Sequence, residues 1–224
     1  MTLLPFRLSA STLNLFRDCP RCFWKQFNEG VKRPAGIFPS LPSGMDRVLK
    51  AHFDSFMGRG LLPPELKGLD GSVKLFDDKL KLFEWRDNFR GLKWADSSGN
   101  VLTGALDNVL VEAGGKLVVL DFKTRGFPLK ENSHSYYEGQ LDAYNFLLRK
   151  NGFQTVDYSY LLFYHPARVN TLGHVEFNTD LVKVAANPEN AEKRFRKALE
   201  CLQNPKPEAA ENCEWCKWAT RYQE

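Results

Sequence analysis

The middle of the 224-residue chain constrains its fold most. Two runs rich in β-branched and apolar residues, 101–111 and 116–123, flank Glu112-Ala113-Gly114-Gly115. Period-two apolar runs joined by a glycine-rich turn predict a β-hairpin. The second run passes from Leu117-Val118-Val119-Leu120 directly into Asp121-Phe122-Lys123. Side chains two apart on a strand share a face, so Asp121 and Lys123 project together and Phe122 points the other way, toward core. Asp107 lies in Gly104-Ala105-Leu106-Asp107-Asn108 of the first run, where antiparallel pairing can bring it alongside.

Around the hairpin the period changes. Residues 8–27 read as a helix that Ser9 or Ser11 caps and Pro20 breaks or offsets. Residues 30–43, with three prolines, predict a loop, and 43–57 a helix. Residues 58–71 read as a connection and 73–89 as a further helix. After the hairpin come a helix over 138–150 stopped by Gly152, strands over 158–165 and 174–178, and a helix over 188–202. This order predicts a small mixed α/β sheet with helices on both faces. The length suits a single domain over 1–224, with a core at about 92–180, a helical part at 8–90 and a C-terminal helix and cysteine segment at 188–218.

Two carboxylates and a lysine at the open end of a sheet suit phosphodiester hydrolysis. Hard divalent cations such as Mg²⁺ take carboxylate oxygens and keep several waters. The ion activates water and offsets charge growing on the phosphate. A lysine beside it orients that water or stabilises the transition state. Flanked by two carboxylates, Lys123 is expected to stay protonated, which favours an electrostatic role over that of a base. Asp-x-Lys alone is a weak signal; the same pattern recurs at Asp77-Asp78-Lys79, in a polar stretch that reads as a solvated helix face. Asp121 and Lys123 differ because an apolar strand leads into them. Gln140 and Tyr144, four apart, share one face of the following helix. They suit contact with a phosphate or an ion-bound water, or alternatively a surface amide and a core aromatic.

Taken together these residues resemble the RecB-like branch of the PD-(D/E)XK nucleases, which includes CRISPR-associated adaptation nucleases and the nuclease domains of recombination helicases. The pattern there is a His on an early helix, an Asp on a strand, Asp/Glu-x-Lys on the next and Gln-x-x-x-Tyr on the following helix. It falls here on His52, Asp107, Asp121 with Lys123, and Gln140 with Tyr144. The segment Leu8-Ser9-Ala10-Ser11 through Cys19-Pro20 is similar to the opening of that family, and the resemblance spans about 8–218. It implies a restriction-endonuclease-like core and a deoxyribonuclease, expected to be an exonuclease acting on single-stranded DNA or DNA ends in repair, recombination or CRISPR adaptation, beside a helicase or similar partner. It makes His52 a metal ligand, where the residues alone favour a core histidine on an amphipathic helix. An imidazole ligand suits Mn²⁺ better than Mg²⁺.

Cysteine usage is the second informative feature. Cys19 and Cys22, and Cys213 and Cys216, form two Cys-x-x-Cys pairs; Cys201 is set in a helical pattern and reads as a bystander. With no secretion signal and no apolar run of membrane-spanning length in the sequence, a cytoplasmic protein is expected, and metal binding outweighs a disulfide framework. Four thiolates suit tetrahedral Zn²⁺ or a [4Fe–4S] cluster. The resemblance points to iron–sulfur. The family's last cysteine, six positions beyond Cys216, is replaced by Tyr222, and Cys22 is then the fourth ligand. Trp24, Trp215 and Trp218 flank the cysteines, placed to pack on the metal site or to stack on bases. The net charge of +4 permits nucleic-acid binding without arguing for it. Two other classes fit the same residues less fully: a non-catalytic nucleic-acid-binding or assembly module, and a zinc-stabilised interaction protein.

Overall fold

The hairpin forms as the alternation dictates, but the apolar run before it divides between two sheets. The computed structural model describes residues 5–221. Its strands are β1 (Arg7–Ser9), β2 (Val73–Leu75), β3 (Leu92–Ala95), β4 (Val101–Gly104), β5 (Asn108–Glu112), β6 (Leu117–Thr124), β7 (Tyr158–Val169) and β8 (Val175–Ala185). Its α-helices are α1 (Ala10–Asp18), α2 (Pro20–Trp24), α3 (Ser40–Met57), α4 (Lys79–Trp85), α5 (Glu138–Lys150), α6 (Pro188–Gln203) and α7 (Glu214–Arg221). The larger sheet has the order β2-β5-β6-β7-β8, and β1-β4-β3 form a smaller one. β6 pairs antiparallel with β5, turning at Gly115 with φ +79°, and parallel with β7. A parallel pair needs a crossover, and α5 supplies it. The fold is therefore mixed α/β, with helices on both faces of a mixed sheet.

Alternation along β6 assigns the two faces. Val119, with Leu161 and Phe163 of β7, packs in one buried cluster with Leu141, Tyr144 and Leu147 of α5. Leu120 and Phe122, with Leu162 and Tyr164, pack in another with Leu49 and Phe53 of α3. The Phe53 and Phe122 rings lie 4.7 Å apart. Phe122 is thus core, as the sequence requires, and Asp121 and Lys123 fall on the α5 side.

Several expected boundaries are corrected. The run 101–111 breaks at Ala105, so Asp107 sits in the crossing between sheets, one residue before β5, and not inside a strand. The break follows from a close approach. A Cβ on Gly104 would lie 2.8 Å from Leu147 Cδ1 and 3.0 Å from the Tyr144 ring. Residues 73–89 are a short strand followed by α4, not one helix. Asp78 caps α4 by accepting from the Lys81 backbone N–H at 3.0 Å, which explains the second Asp-x-Lys pattern as a helix cap. The opening helix starts at Ala10 after a three-residue strand, with Ser9 in a capping box. It stops at extended Cys19, and Pro20 opens α2. α3 begins at Ser40, within the expected loop. β7 and β8 run well past 165 and 178 as a long antiparallel pair whose outer part is exposed. Backbone pairing carries residues 166–169 of β7, whereas residues 179–185 of β8 pair with the buried half of β7 and place Leu181, Val182 and Val184 against the core.

Gly104→Ala is expected to destabilise the protein by about 1–3 kcal/mol through overpacking against α5. Thermal unfolding checks it; an unchanged midpoint would show that Tyr144 and Leu147 yield freely.

Candidate active site

β6 ends as a buried strand carrying charge. The Asp121 side chain is 2% exposed, and its Oδ2 lies 2.5 Å from Lys123 Nζ. Lys123 Nζ donates to Gln140 Oε1 at 2.9 Å, and Gln140 Nε2 donates to the Tyr144 hydroxyl oxygen at 2.7 Å. These four side chains form one chain of contacts from β6 into α5. The Tyr137 ring lies 4.6 Å from Lys123 Nζ, adding a cation–π contact. Asp107 Oδ2 accepts the Phe122 backbone N–H at 2.9 Å, which fixes the crossing segment against β6. Its Oδ1 lies 3.1 Å from Lys50 Nζ, and Lys50 also pairs with Asp46 at 2.8 Å. Arg86 Nε donates to the Asp107 carbonyl at 2.8 Å while its Nη1 reaches both oxygens of Asp54.

The electrostatics follow from burial and from two nearby carboxylates. Burial, with the Asp107 charge beside it, pushes Asp121 up to about 7 against the opposing pull of Lys123. Burial works against the charge on Lys123, but Asp121 and Asp107 outweigh it and hold the ammonium above its usual range. Burial, then Asp121 and Asp107, raise Tyr144 well above the ordinary phenol range. Asp121 Oδ2 is buried without a hydrogen bond of good angle, although it lies beside the Lys123 ammonium. A divalent cation shared with Asp107 would satisfy this oxygen and relieve the repulsion that raises Asp121. The donor set therefore fits a hard divalent cation.

The structure brings Asp107, Asp121, Lys123, Gln140 and Tyr144 together, while His52 has other partners. Its Nε2 lies 3.1 Å from Glu65, which also accepts from the Tyr164 hydroxyl at 3.0 Å. Tyr164 belongs to the α3 side of the sheet, and His52 does not join the two aspartates in one three-ligand cluster among the described residues. Lys50, Glu65 and Arg86 were not legible as site residues. Lys50 lies two residues before His52, but Glu65 and Arg86 sit in segments with no motif. Beside Tyr144 a groove of about 370 Å³ opens, lined among others by Ser9, Ser11, Asn88, Thr103 and Gln140. It presents hydroxyl and amide groups and no charged side chain.

The two Cys-x-x-Cys pairs meet. Cys19 and Cys216 Sγ lie 3.8 Å apart, and Cys22 lies 3.5 Å from both Cys213 and Cys216. All four sulfurs fall within 4.8 Å of one another. Burial opposes thiolate formation at Cys19, but the backbone N–H of Ala210 leads the interactions that bring it down to about 7. Burial and neighbouring thiols push Cys216 up. Four sulfurs gathered this closely form a donor set that a metal ion fits. Cys201 lies in α6 outside this group, and Tyr222 lies outside the described residues. Trp24 Nε1 donates to the Asn204 carbonyl, whereas Trp215 and Trp218 are 41% and 54% exposed.

The profile of the PD-(D/E)XK nuclease superfamily matches residues 43–221. The chain belongs to the PD-(D/E)XK nuclease superfamily. The matched region contains His52, Asp107, Asp121, Lys123, Gln140, Tyr144 and the second cysteine pair, and begins after the first pair. Among solved structures, the crystal structure of SSO0001 is similar over 91% of this chain and 80% of that one, at 14% identity and a TM-score of 0.46. No curated protein matches. No helix of this PD-(D/E)XK chain is long and apolar enough, among the described residues, to cross a membrane.

The raised Asp121 carboxyl has a consequence for stability. A folded-state value of about 7 against 3.8 means that the folded state holds this proton longer than the unfolded one. The contribution is complete below pH 3.8 and is lost as pH rises toward 7. Without added divalent cation, the wild type is expected to lose stability across this window relative to Asp121→Asn. Denaturant titrations at several pH values measure the difference; parallel curves for the two proteins would contradict the assignment.

Proposed function

We propose that the protein is a metal-dependent DNA nuclease of the RecB-like kind, acting as an exonuclease on single-stranded DNA or DNA ends. The observation that carries this reading is the buried Asp121–Lys123 pair with Asp107 beside it, linked through Gln140 to Tyr144. Asp107 and Asp121 would hold a Mg²⁺ or Mn²⁺ ion; the family pattern adds His52 as an imidazole ligand, which would have to exchange Glu65 for the ion. When bound, the ion supplies water activation and charge neutralisation at the phosphate.

The chain's own residues have distinct tasks. Lys123 keeps its proton, so it serves as a donor and a fixed positive charge facing the attacked phosphate, and not as the base. Gln140 accepts from the ammonium through its carbonyl oxygen and donates an amide N–H hydrogen bond to the Tyr144 oxygen, which fixes both side chains. The Tyr144 oxygen accepts from Gln140, so its own O–H is left to donate to a phosphate oxygen in the adjoining groove. The uncharged groove suits a backbone held by hydroxyl and amide groups with little base readout. DNA repair, recombination or CRISPR adaptation, beside a helicase or related partner, is the setting this activity fits.

At the cysteines we infer a structural metal centre. In a tetrahedral zinc–thiolate site with bonds of about 2.3 Å, sulfurs lie about 3.8 Å apart, close to the 3.5–3.8 Å separations of the three near pairs. A [4Fe–4S] cluster places each thiolate on a different iron and spreads them farther. The spacing therefore favours one zinc-type ion over the iron–sulfur cluster of the family pattern.

End-labelled single- and double-stranded DNA, with RNA as a control, incubated with Mg²⁺, Mn²⁺ or EDTA, tests the activity. Asp121→Ala and Lys123→Ala are each expected to lower the rate about 10²–10³-fold or more. Inert wild type with both ions, or mutants equal to it, would sink the catalytic reading, and the product ladder separates end from internal attack. Elemental analysis should find about one zinc per chain, retained in Cys201→Ser and lost in Cys22→Ser. Iron with a visible absorption band would instead establish the cluster.

A further inference from the structure

A second pocket lies beside the cysteine centre, away from the catalytic carboxylates. α1 separates the two places: its first turn borders the groove at Tyr144, and it ends at Cys19, nine residues or about 14 Å later. The pocket has a volume of about 370 Å³. Arg21, Lys25, Lys32, Arg33 and Lys206 line it, and no carboxylate does. Glu29 and Glu208 pair from outside with Lys25, Lys206 and Arg21. Arg33 turns inward, its Nη2 3.7 Å from Cys213 Sγ, where it meets the negative charge of a tetrathiolate centre. Lys32 is exposed at the rim.

The opposite wall is aromatic. Trp215 and Trp218 are three apart on α7, so both rings emerge on one face of the helix, and both line the pocket while remaining about half exposed. Indoles with exposed faces thus stand beside a cluster of cations. They are the two components of a single-strand binding platform: bases stack on the aromatic faces and phosphates follow the cations. Duplex ends offer paired bases that cannot splay onto such a wall, and an acidic peptide has no use for it.

We propose that this pocket binds one or two nucleotides of single-stranded nucleic acid, as a docking site separate from the point of cleavage. The inference deepens the nuclease reading, on which it rests, by naming where a single strand docks outside the cleavage site. A metal held by Cys19, Cys22, Cys213 and Cys216 would tie α2 to α7 and so keep the cations and indoles in register.

Binding of a labelled thymidine oligonucleotide to the full chain, in Asp121→Ala background and without divalent cation, tests the pocket independently of cleavage. A Trp215→Ala/Trp218→Ala variant is expected to bind about tenfold or more weakly. Lys32→Ala and Lys206→Ala should each make the log–log salt dependence shallower by about 0.7. Metal content and thermal midpoint are measured for every variant. If the tryptophan variant loses its metal, the two exposed lysines decide the question alone. Unchanged affinity and unchanged salt slopes would overturn the proposal. So would a duplex of the same length, or polyglutamate, that binds as tightly through the same residues. A protein that cleaves DNA yet binds the oligonucleotide independently of this pocket would keep the nuclease reading and remove the docking site.

Discussion

A carboxylate buried at the end of β6, facing an ammonium two residues later on the same strand, is the constraint on which the rest depends. Strand geometry puts Asp121 and Lys123 on one face, and the core requires Phe122 on the other. Once Phe122 is seated against Phe53, the charged pair has to lie on the α5 side, where Gln140 and Tyr144 meet it. Asp107 arrives from the crossing between sheets and is pinned by the Phe122 backbone N–H. The Asp107 charge still raises Asp121 although Lys50 and Lys123 pair with the two carboxylates, so the arrangement carries an electrostatic cost that a divalent cation would relieve. That cost is what makes the arrangement point to ion-assisted chemistry over a structural ion pair.

The cysteine cluster plays a complementary part. It joins α2 to α7, segments separated by nearly two hundred positions in sequence, and it borders the cationic and aromatic pocket. The face that carries Asp107 and Asp121 is built from sheet and α5, and the cysteine lobe from the segments around α2 and α7. α1 runs between them, with its N-terminal end at the groove and its C-terminal end at Cys19. A strand of nucleic acid held at one place would lie within reach of the other.

Much of this was legible in the sequence, for identifiable reasons. The hairpin, α5 and the inward direction of Phe122 follow from periodicity and turn chemistry, which act locally. The Asp-x-Lys pair stood out because an apolar strand led into it, and the twin Cys-x-x-Cys pairs because thiols at that spacing have few other uses. The break at Ala105 was not legible, because it depends on the Gly104 backbone meeting Tyr144 of a distant helix. The strand at Val73 was hidden by the helical look of the following residues, and the exposed end of β7 by Pro166. Glu65, which takes His52, carries no local signal at all; only the packing of α3 over the sheet reveals the pair.

Diffraction from a crystal soaked in Mn²⁺, with the ion located by its anomalous signal, tests the central claim most directly. The account predicts a peak between the Asp107 and Asp121 carboxylates, with the Lys123 ammonium adjacent to it and a further ligand from His52 or water. A peak confined to His52 and Glu65, or no ordered ion near Asp121 at saturating manganese, would contradict it.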